Sequence, residues 1–327
     1  MLDILAITGP IYITIGVGFL ATRFGLFSKA DMRVFGKFVI NLALPALLFN
    51  ALAQRQIGEI LNGSYLLAYL AGTLAVVGLG YCWCRRFAGL NPTTSIVYVM
   101  GMTCPNSGFV GYPILLLTLA PVAGVALALN MIVENIVILP LLLALAERGR
   151  GDAGSWQRQI GPALKRLVTN PLIIGVLAGF TVSVLDGKLP DPVARSVTLF
   201  ATASSALSLF VIGGTLVGLP MRGMGPRVAP IVAGKLLFHP LAVLLALFAL
   251  PLLGLPALDP SLRMAVVLLA AMPMMSIYPI LAQTYGGEDF SAPALLVTTT
   301  ASFFTLSGLL WALKHVSVWG EWFSLLF

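Results

Sequence analysis

The stretch GMTCPNSGFVGYP, at residues 101–113, contains two prolines, three glycines and the polar residues Asn106 and Ser107. A proline inside a helix removes one backbone donor, and its ring clashes with the carbonyl group four residues back. Apolar residues flank the stretch on both sides, and in hydrocarbon a freed backbone group must be satisfied by protein or by water. The stretch therefore predicts a transmembrane helix that is broken near the middle of the bilayer, around Pro105.

A second stretch, AMPMMSIYP at residues 271–279, predicts another broken helix, around Pro273. The tetrapeptide Tyr-Pro-Ile-Leu occurs at residues 112–115 and again at residues 278–281, each time after an earlier proline of the same apolar run. The half-helix after such a break begins with free N–H groups and carries about half a positive charge from its dipole. Two breaks that meet from opposite directions predict an anion site. The alternative is that the prolines only kink two packed helices.

The composition indicates a membrane protein. Hydrophobic residues make up 59% of the 327-residue chain and charged residues 9%, whereas a soluble domain carries about 25% charged residues. The length fits about ten spans of about 20 residues with short links. The predicted fold class is therefore an all-α polytopic membrane protein with ten transmembrane helices, and no polar stretch is long enough for a soluble second domain.

The apolar runs divide the chain into two halves. They lie at residues 4–22, 34–53, 64–84, 93–118, 121–146, 164–185, 194–219, 228–250, 262–284 and 292–313. The longest link, residues 147–163, is predicted to be a cytoplasmic linker between a five-helix repeat at residues 1–146 and a second repeat at residues 164–327. Because five is an odd number, the second repeat is inverted relative to the first, and the broken helices four and nine then correspond.

The Lys and Arg residues orient the spans. With the amino terminus outside, the inner links hold thirteen of them and the outer links hold five. Cytoplasmic links carry the excess of positive charge, so both termini are predicted outside an inner (plasma) membrane. This pattern accounts for the net charge of +7, so the charge does not indicate a nucleic-acid partner, and none is expected.

Eight residues are predicted to contact the substrate: Asn41, Pro45, Pro105, Asn106, Ser107, Gly108, Pro273 and Ser276. The side chains of Asn106, Ser107 and Ser276 would add hydrogen bonds to those of the half-helix N–H groups. Asn41 and Pro45 lie in the middle of the second run, and an unpaired amide in hydrocarbon costs free energy. The alternative for Asn41 is a hydrogen bond between helices.

Three residues inside later runs are candidates for coupling, namely Glu134, Asn135 and Lys235. A carboxylate deep in a membrane costs about 2.5–3.5 kcal/mol on the insertion scale, so Glu134 is a candidate for proton coupling. The alternative is a structural pair with Lys235. Lys235 itself is predicted to extend its ammonium group to the inner membrane face, with substrate contact as the alternative. His239 lies four residues later and thus on the same helix face, where packing is expected.

The chain resembles the auxin efflux carrier family, which includes the plant auxin exporters and bacterial malonate and malate carriers. The resemblance lies in NLALPALLF at residues 41–49, in NSGFVGYP at residues 106–113, and in Pro273 with the Tyr-Gly pair at residues 285–286. It implies two inverted five-helix repeats, with a scaffold from helices 1, 2, 6 and 7. Helices 3–5 and 8–10 would form a transport domain that carries organic anions by an elevator-like motion. A homodimer is also implied.

The resemblance has one departure, which bears on the substrate. Family members often place an asparagine a few residues after the proline of span nine, whereas residues 274–278 here read MMSIY. This half of the site is therefore less polar than in the auxin exporters. A small carboxylate such as malonate or malate is the preferred substrate, and an auxin-like one is disfavoured.

Other classes of function fit the sequence less well. An enzyme is not expected, because His239 and His315 are the only histidines, no Gly-x-Ser-x-Gly motif is present, and the three cysteines lack metal-ligand spacing. Neither a cofactor nor a metal site is predicted. A sodium-coupled symporter of the bile-acid type remains an alternative, although Asn106, Glu134 and Asn135 are the only obvious oxygen donors near the breaks. A membrane sensor that does not transport is a further alternative.

Overall fold

A computed structural model describes residues 2–53, 62–149, 169–185, 187, 189–219 and 225–315. Over these residues the chain is helical and contains no β-strand, which confirms the all-α prediction for this part of the chain. The helices are α1 (Leu2–Arg23), α2 (Lys29–Ala53), α3 (Gly63–Arg86), α4 (Pro92–Thr103), α5 (Ser107–Thr118), α6 (Ala120–Gly149), α7 (Pro171–Val184), α8 (Asp191–Leu216), α9 (Ala229–Leu253), α10 (Pro260–Ala270), α11 (Tyr278–Gln283) and α12 (Glu288–His315).

Six of these helices are long and apolar enough to cross a membrane, namely α2, α3, α6, α8, α9 and α12. Shorter apolar helices are α5, α7 and the segment that begins at Pro260. Large apolar side chains such as Leu79, Leu199 and Phe304 are more than 70% exposed, as expected for surfaces that contact lipid tails. The protein is therefore a multi-pass membrane protein. The count of ten spans and the inverted repeat stay predictions, and most of the predicted linker lies outside the described residues.

Local sequence explains where several helices begin. Ser28 accepts a hydrogen bond from the backbone N–H of Asp31, whose carboxylate accepts from the backbone of Ser28, so α2 begins with a capping box. Asn91 caps α4 in a related way by accepting from the N–H of Thr94, and a proline follows it at the first helical position. Each cap satisfies a backbone donor that has no partner inside its helix.

Four helices contain one widened turn of π type, and in each case a proline follows closely. The widened turns are Val39–Ala43 in α2, Ser107–Gly111 in α5, Val133–Ile138 in α6 and Gly234–Phe238 in α9. The prolines that follow them are Pro45, Pro113, Pro140 and Pro240. A proline leaves the carbonyl four residues earlier without its usual donor and crowds it, and all four of those carbonyls lie inside the widened turns. Such turns are frequent at functional sites.

The helices pack in two groups. In the first group, α1 packs along α8, and α2 packs along α7 and α8. Small residues permit this close contact, because a Cβ atom on Gly18 would collide with the backbone of Phe210 and one on Gly175 with the backbone of Pro45. In the second group, α3 packs on α4 and α9, α6 packs on α4 and α10, and α11 packs on α12.

A small apolar cluster lies where the two groups meet. It includes Leu48 of α2, Leu127 and Met131 of α6, Val176 of α7 and Ala201 of α8. The larger apolar cluster includes most of the second group together with parts of α1 and α8. The main core therefore surrounds the two interruptions, after α4 and after α10.

Candidate functional site

The two helix interruptions contact each other. Pro105 and Met274 pair as an isolated antiparallel bridge. The amide N of Asn106 donates to the carbonyl O of Pro273 at 2.7 Å, and the amide N of Met275 donates to the carbonyl O of Cys104 at 2.9 Å. The breaks thus satisfy part of each other's backbone hydrogen bonding, as hydrocarbon surroundings require. Residues 104–106 and 273–275 are called the break pair below.

The side chain of Asn106 connects the two breaks. It is 6% exposed, and its Nδ2 donates to the hydroxyl of Ser276 at 2.7 Å. Its Oδ1 accepts from the amide N of Phe109 at 3.3 Å, which caps the amino terminus of α5. The structure therefore brings Asn106, Ser276, Pro105 and Pro273 together.

The first amides of α5 remain available for a ligand. Within the part of the chain that the structure describes, the backbone N–H groups of Ser107 and Gly108 have no acceptor. They lie at the positive end of the α5 dipole, where an anion is stabilised by typically 0.3–1 kcal/mol at an exposed site and by up to about 2 kcal/mol in a partly buried one. Two backbone donors and the dipole thus make this end suitable for a carboxylate.

A buried carboxylate lies directly beside the start of α5. One oxygen of Glu134, Oε1, accepts from the hydroxyl of Ser107 at 2.6 Å, from the hydroxyl of Tyr69 at 2.8 Å and from Nδ2 of Asn130 at 3.1 Å. Tyr65 in turn donates to Oδ1 of Asn130 at 2.8 Å. These donors offset the cost of taking a carboxylate out of water. The residues Tyr65, Tyr69, Ser107, Asn130 and Glu134 are called the carboxylate cluster below.

A buried cation lies beside the second break. Lys235 is 0% exposed, and its Nζ donates to the carbonyl O of Ala270, the last residue of α10, at 2.6 Å. Its Nζ also lies 2.9 Å from Nδ1 of His239, whose Nε2 lies 3.0 Å from the hydroxyl of Thr73. Thr73 donates its one hydrogen to the carbonyl O of Tyr69 at 2.6 Å. His239 must therefore donate from Nε2 and accept from Lys235 at Nδ1.

The contacts of Lys235 correct one sequence prediction. The ammonium group does not extend to the membrane surface, because it is fully buried and hydrogen-bonded to the end of α10. A membrane-facing extension would leave the carbonyl group of Ala270 without this donor at the negative end of the α10 dipole. The Lys235 ammonium takes its hydrogen-bond partners from α9 and α10, whereas the carboxylate of Glu134 takes its donors from α3, α5 and α6. The prediction that Lys235 and His239 share one helix face agrees with their contact.

Three predicted residues are not seen in contact with the break pair, and two of them bond within their own helices. Asn41 is exposed, and its Nδ2 donates to the carbonyl O of Lys37 at 2.7 Å. Pro45 is half-buried on α2, where α7 packs closely against its backbone. Nδ2 of Asn135 donates to the carbonyl O of Met131 at 3.0 Å. The structure does not place these side chains against the break pair, and their roles stay predictions.

Sequence reasoning missed the residues that surround Glu134. Tyr65, Tyr69 and Thr73 recur every fourth position along α3, and Asn130 lies four residues before Glu134 on α6. Residues four apart lie on one face of a helix, so this spacing was the available signal. Polar residues at such intervals in an apolar run indicate a buried polar face rather than scattered side chains.

Metal ligands do not cluster in the described part of the chain. Among those residues, no group of three or more His, Cys, Asp and Glu side chains could hold a metal ion. Cys84 and Cys104 are buried free thiols, and Cys104 lies in the break pair.

Comparison with known proteins defines the class of this chain. The family model described as "Membrane transport protein" matches residues 6–311, so the chain belongs to that family, the auxin efflux carrier family. It is 27% identical over 321 residues to the "Putative malonate transporter" of Rhizobium meliloti (strain 1021), and the aligned region covers 96% of this chain and 97% of that protein. It is 28% identical over 247 residues to the "Uncharacterized transporter YfdV" of Escherichia coli (strain K12), which covers 72% and 76% of the two chains.

These matches confirm the sequence-based resemblance. A further relative, an "Uncharacterized transporter" of Methanothermobacter thermautotrophicus, is 28% identical over 100 residues, or 30% of this chain and 32% of that protein. The family and these relatives are transporters, and the protein is not an enzyme.

Proposed function

We propose that the protein is a secondary transporter of small organic anions, in particular carboxylates of the size of malonate or malate. The observation that carries the proposal is the break pair, where Asn106 bonds both to the backbone of Pro273 and to the side chain of Ser276. Interrupted helices that meet in this way expose polar backbone inside an otherwise apolar bundle, the arrangement in which secondary transporters bind substrates.

The chemistry at the break pair favours a small anion. The free amides of Ser107 and Gly108 at the start of α5 can donate to one carboxylate, and the hydroxyl of Ser276 lies across the break within reach of Asn106. The second break contributes Met274 and Met275, which offer no charge and little hydrogen bonding. The 27% identity to a protein named as a putative malonate transporter, over nearly the whole chain, supports a malonate-like substrate.

Two inverted five-helix repeats, at residues 1–146 and 164–327, are part of the proposal. The repeated Tyr-Pro-Ile-Leu begins the regular α-helical turns after each break, at Tyr112 and at Tyr278. The breaks pair antiparallel, as expected for elements related by an axis in the membrane plane. These two observations support the inverted relation between the repeats.

The packing supports a division into scaffold and transport domain. The group formed by α1, α2, α7 and α8 corresponds to predicted spans 1, 2, 6 and 7, and the remaining helices correspond to spans 3–5 and 8–10. The break pair and the carboxylate cluster both belong to the second group, and Leu44 of α2 lies against Gly108, just after the first break. An elevator-like motion would move the second group, with its anion, along the first.

The proposed orientation in the inner membrane, with both termini outside, rests on the distribution of Lys and Arg, and contacts at the helix ends support the alternation of spans that it requires. The hydroxyl of Tyr285, after α11, donates to the carboxylate of Glu147 at the end of α6 at 2.9 Å. The hydroxyl of Ser64, at the start of α3, donates to the carbonyl O of Pro256 between α9 and α10 at 2.7 Å. The ends of spans five and nine therefore share one membrane face, as alternating spans require.

The experiment that tests the proposal is exchange of labelled malonate in proteoliposomes, with malate, succinate and indole-3-acetate as competitors. Wild-type protein should show saturable exchange that malate inhibits more strongly than indole-3-acetate does. Imposed pH and sodium gradients should then separate proton coupling from the sodium-coupled alternative. Absence of exchange with every acid, from folded and inserted protein, would refute the proposal and leave the sensor alternative.

The role of Asn106 in substrate binding is tested by Asn106→Ala, with Asn91→Ala as the matched control. Each removes a helix cap, which costs about 1 kcal/mol of stability, but only Asn106 lies at the break pair. Asn106→Ala should weaken malonate binding by about tenfold, since a lost hydrogen bond costs about 1–1.5 kcal/mol. Asn91→Ala should bind like the wild type, as measured by the half-saturating malonate concentration for exchange. Equal values for the two variants would remove Asn106 from the site.

A further inference from the structure

The hydroxyl of Ser107 bonds to Glu134 and lies where the proposed anion would bind. Ser107 is the first residue of α5, at the end where the proposed anion binds, and its hydroxyl donates to Oε1 of Glu134 at 2.6 Å. A serine hydroxyl has a single hydrogen. While Glu134 accepts that hydrogen, Ser107 cannot donate it to a carboxylate at the α5 terminus.

The hydrogen bonds of Glu134 suit an ionised carboxylate. One oxygen accepts from three donors on Tyr69, Ser107 and Asn130. An ionised carboxylate only accepts hydrogen bonds, and this donor set matches that requirement. When Glu134 is ionised, its negative charge lies beside the place where an anionic substrate would bind, and two negative charges at close range repel.

No cation neutralises this carboxylate by direct contact within the described residues. The titratable groups near it are Tyr65 and Tyr69 on α3, Cys104 in the break pair, and Lys235 and His239 on α9. Lys235 uses its ammonium group for the end of α10 and for His239. Glu134 is therefore the group in the carboxylate cluster whose charge can change without breaking the contact between α9 and α10.

We propose that Glu134 couples the transport of each substrate anion to one proton. The coupling works by reversal of the hydrogen bond between Ser107 and Glu134. The proton binds to the carboxylate of Glu134, which removes the negative charge. The protonated Glu134 then donates to the oxygen of Ser107, and Ser107 donates its own hydrogen to the substrate carboxylate. Release of the substrate and of the proton on the same side of the membrane restores the observed hydrogen bond. This inference rests on the proposed function, because it requires an anion at the start of α5.

The first test needs only wild-type protein. Malonate binding is measured by titration calorimetry above neutral pH, where malonate is fully ionised, in buffers of different ionisation enthalpy. The proposal predicts uptake of about one proton per malonate bound, because a group that is protonated only in the complex links the two equilibria. Malonate binding with no proton uptake would overturn the proposal and leave the proposed function intact. If no carboxylate binds or exchanges, both proposals fall.

The second test compares Glu134→Gln with Glu147→Gln, two identical substitutions on α6. Glu147 is hydrogen-bonded to Tyr285 at the far end of the helix, so its variant controls for the loss of a carboxylate. Glu134→Gln should bind malonate without proton uptake and retain exchange, but a pH gradient should no longer drive accumulation. Glu147→Gln should behave like the wild type in all three measurements. Gradient-driven accumulation by Glu134→Gln would overturn the proposal.

Ser107→Ala distinguishes the contribution of the Ser107 hydroxyl from that of the Glu134 charge. The variant should still take up a proton with malonate, because the repulsion by ionised Glu134 remains. Its affinity should fall by about ten- to a hundredfold, the range for one lost hydrogen bond to a charged group. If Ser107→Ala binds malonate as tightly as the wild type, Ser107 does not donate to the substrate and the proposed relay is wrong.

Discussion

The break before α5 and the break before α11 follow the same sequence plan, since each is a proline-containing interruption that leads into Tyr-Pro-Ile-Leu. Their surroundings differ in charge and polarity. The first break has the side chain of Asn106, the hydroxyl of Ser107 and the carboxylate of Glu134 around it. The second break is made mostly of methionines, and the buried cation Lys235 holds the carbonyl group of Ala270 before it.

This difference suggests a division of work between the two breaks. The positive dipole end of α5 and its free amides face the first break, where an anion can be bound and where a charge can change. At the second break the amino group of Lys235 donates to the last carbonyl group of α10, so that this half-helix is anchored rather than exposed. The first break would bind the substrate anion and couple its transport to a proton. The second break would keep the half-helices in position.

Of the substitutions that test the two breaks separately, Lys235→Met should have the largest effect, a loss of thermal stability. The substitution conserves much of the side-chain volume but leaves the carbonyl O of Ala270 and Nδ1 of His239 buried without a donor. Each unsatisfied acceptor costs about 1–3 kcal/mol, so the melting temperature in detergent should fall by several degrees. Lys37→Met, which removes an exposed lysine on α2, is the control and should melt like the wild type. If both variants melt alike, the cation does not anchor α10.

A smaller effect is expected for Ser276→Ala at the second break. Ser276 accepts one hydrogen bond from Asn106, whose Oδ1 would still cap α5 in the variant. The half-saturating malonate concentration should rise by a few fold, less than for Asn106→Ala, because only one bond of about 1 kcal/mol is lost. Ser196→Ala, on the exposed surface of α8, should leave exchange unchanged. A larger loss for Ser276→Ala than for Asn106→Ala would reverse the proposed polarity of the two breaks.

The smallest effect is expected for Tyr278→Phe. Tyr278 is fully buried, and its hydroxyl has no hydrogen-bond partner among the residues that the structure describes. Removing a buried, unpaired hydroxyl relieves a desolvation cost, so the variant should be neutral or more stable by about 1 kcal/mol, with unchanged malonate affinity. Thermal unfolding and malonate exchange measure both quantities. A marked loss of affinity would mean that this hydroxyl contacts the substrate and that the second break also binds it.

Much of the architecture could be predicted from local sequence. The apolar runs indicate membrane helices because hydropathy is a property of each segment, and the prolines indicate the breaks because a missing N–H acts on the carbonyl four residues back. The same rule, applied to Pro45, Pro113, Pro140 and Pro240, could also have located the four widened turns. Glu134 and Lys235 could be selected as unusual residues in apolar runs, and spacing indicates partners four residues away on the same helix, but their partners on other helices could not be predicted.

The sequence by itself determined the class of the protein, its helical content and the places where helices are interrupted, because hydropathy and backbone donors act over a few residues. Only the tertiary structure decided which polar groups meet. Ser107 reaches Glu134 across 27 positions, Lys235 reaches Ala270 across 35 and Asn106 reaches Ser276 across 170. Such contacts depend on how helices pack and on the rotation of each helix about its axis, and in α6 and α9 the widened turns alter that rotation beside Glu134 and Lys235. No local pattern encodes these pairings.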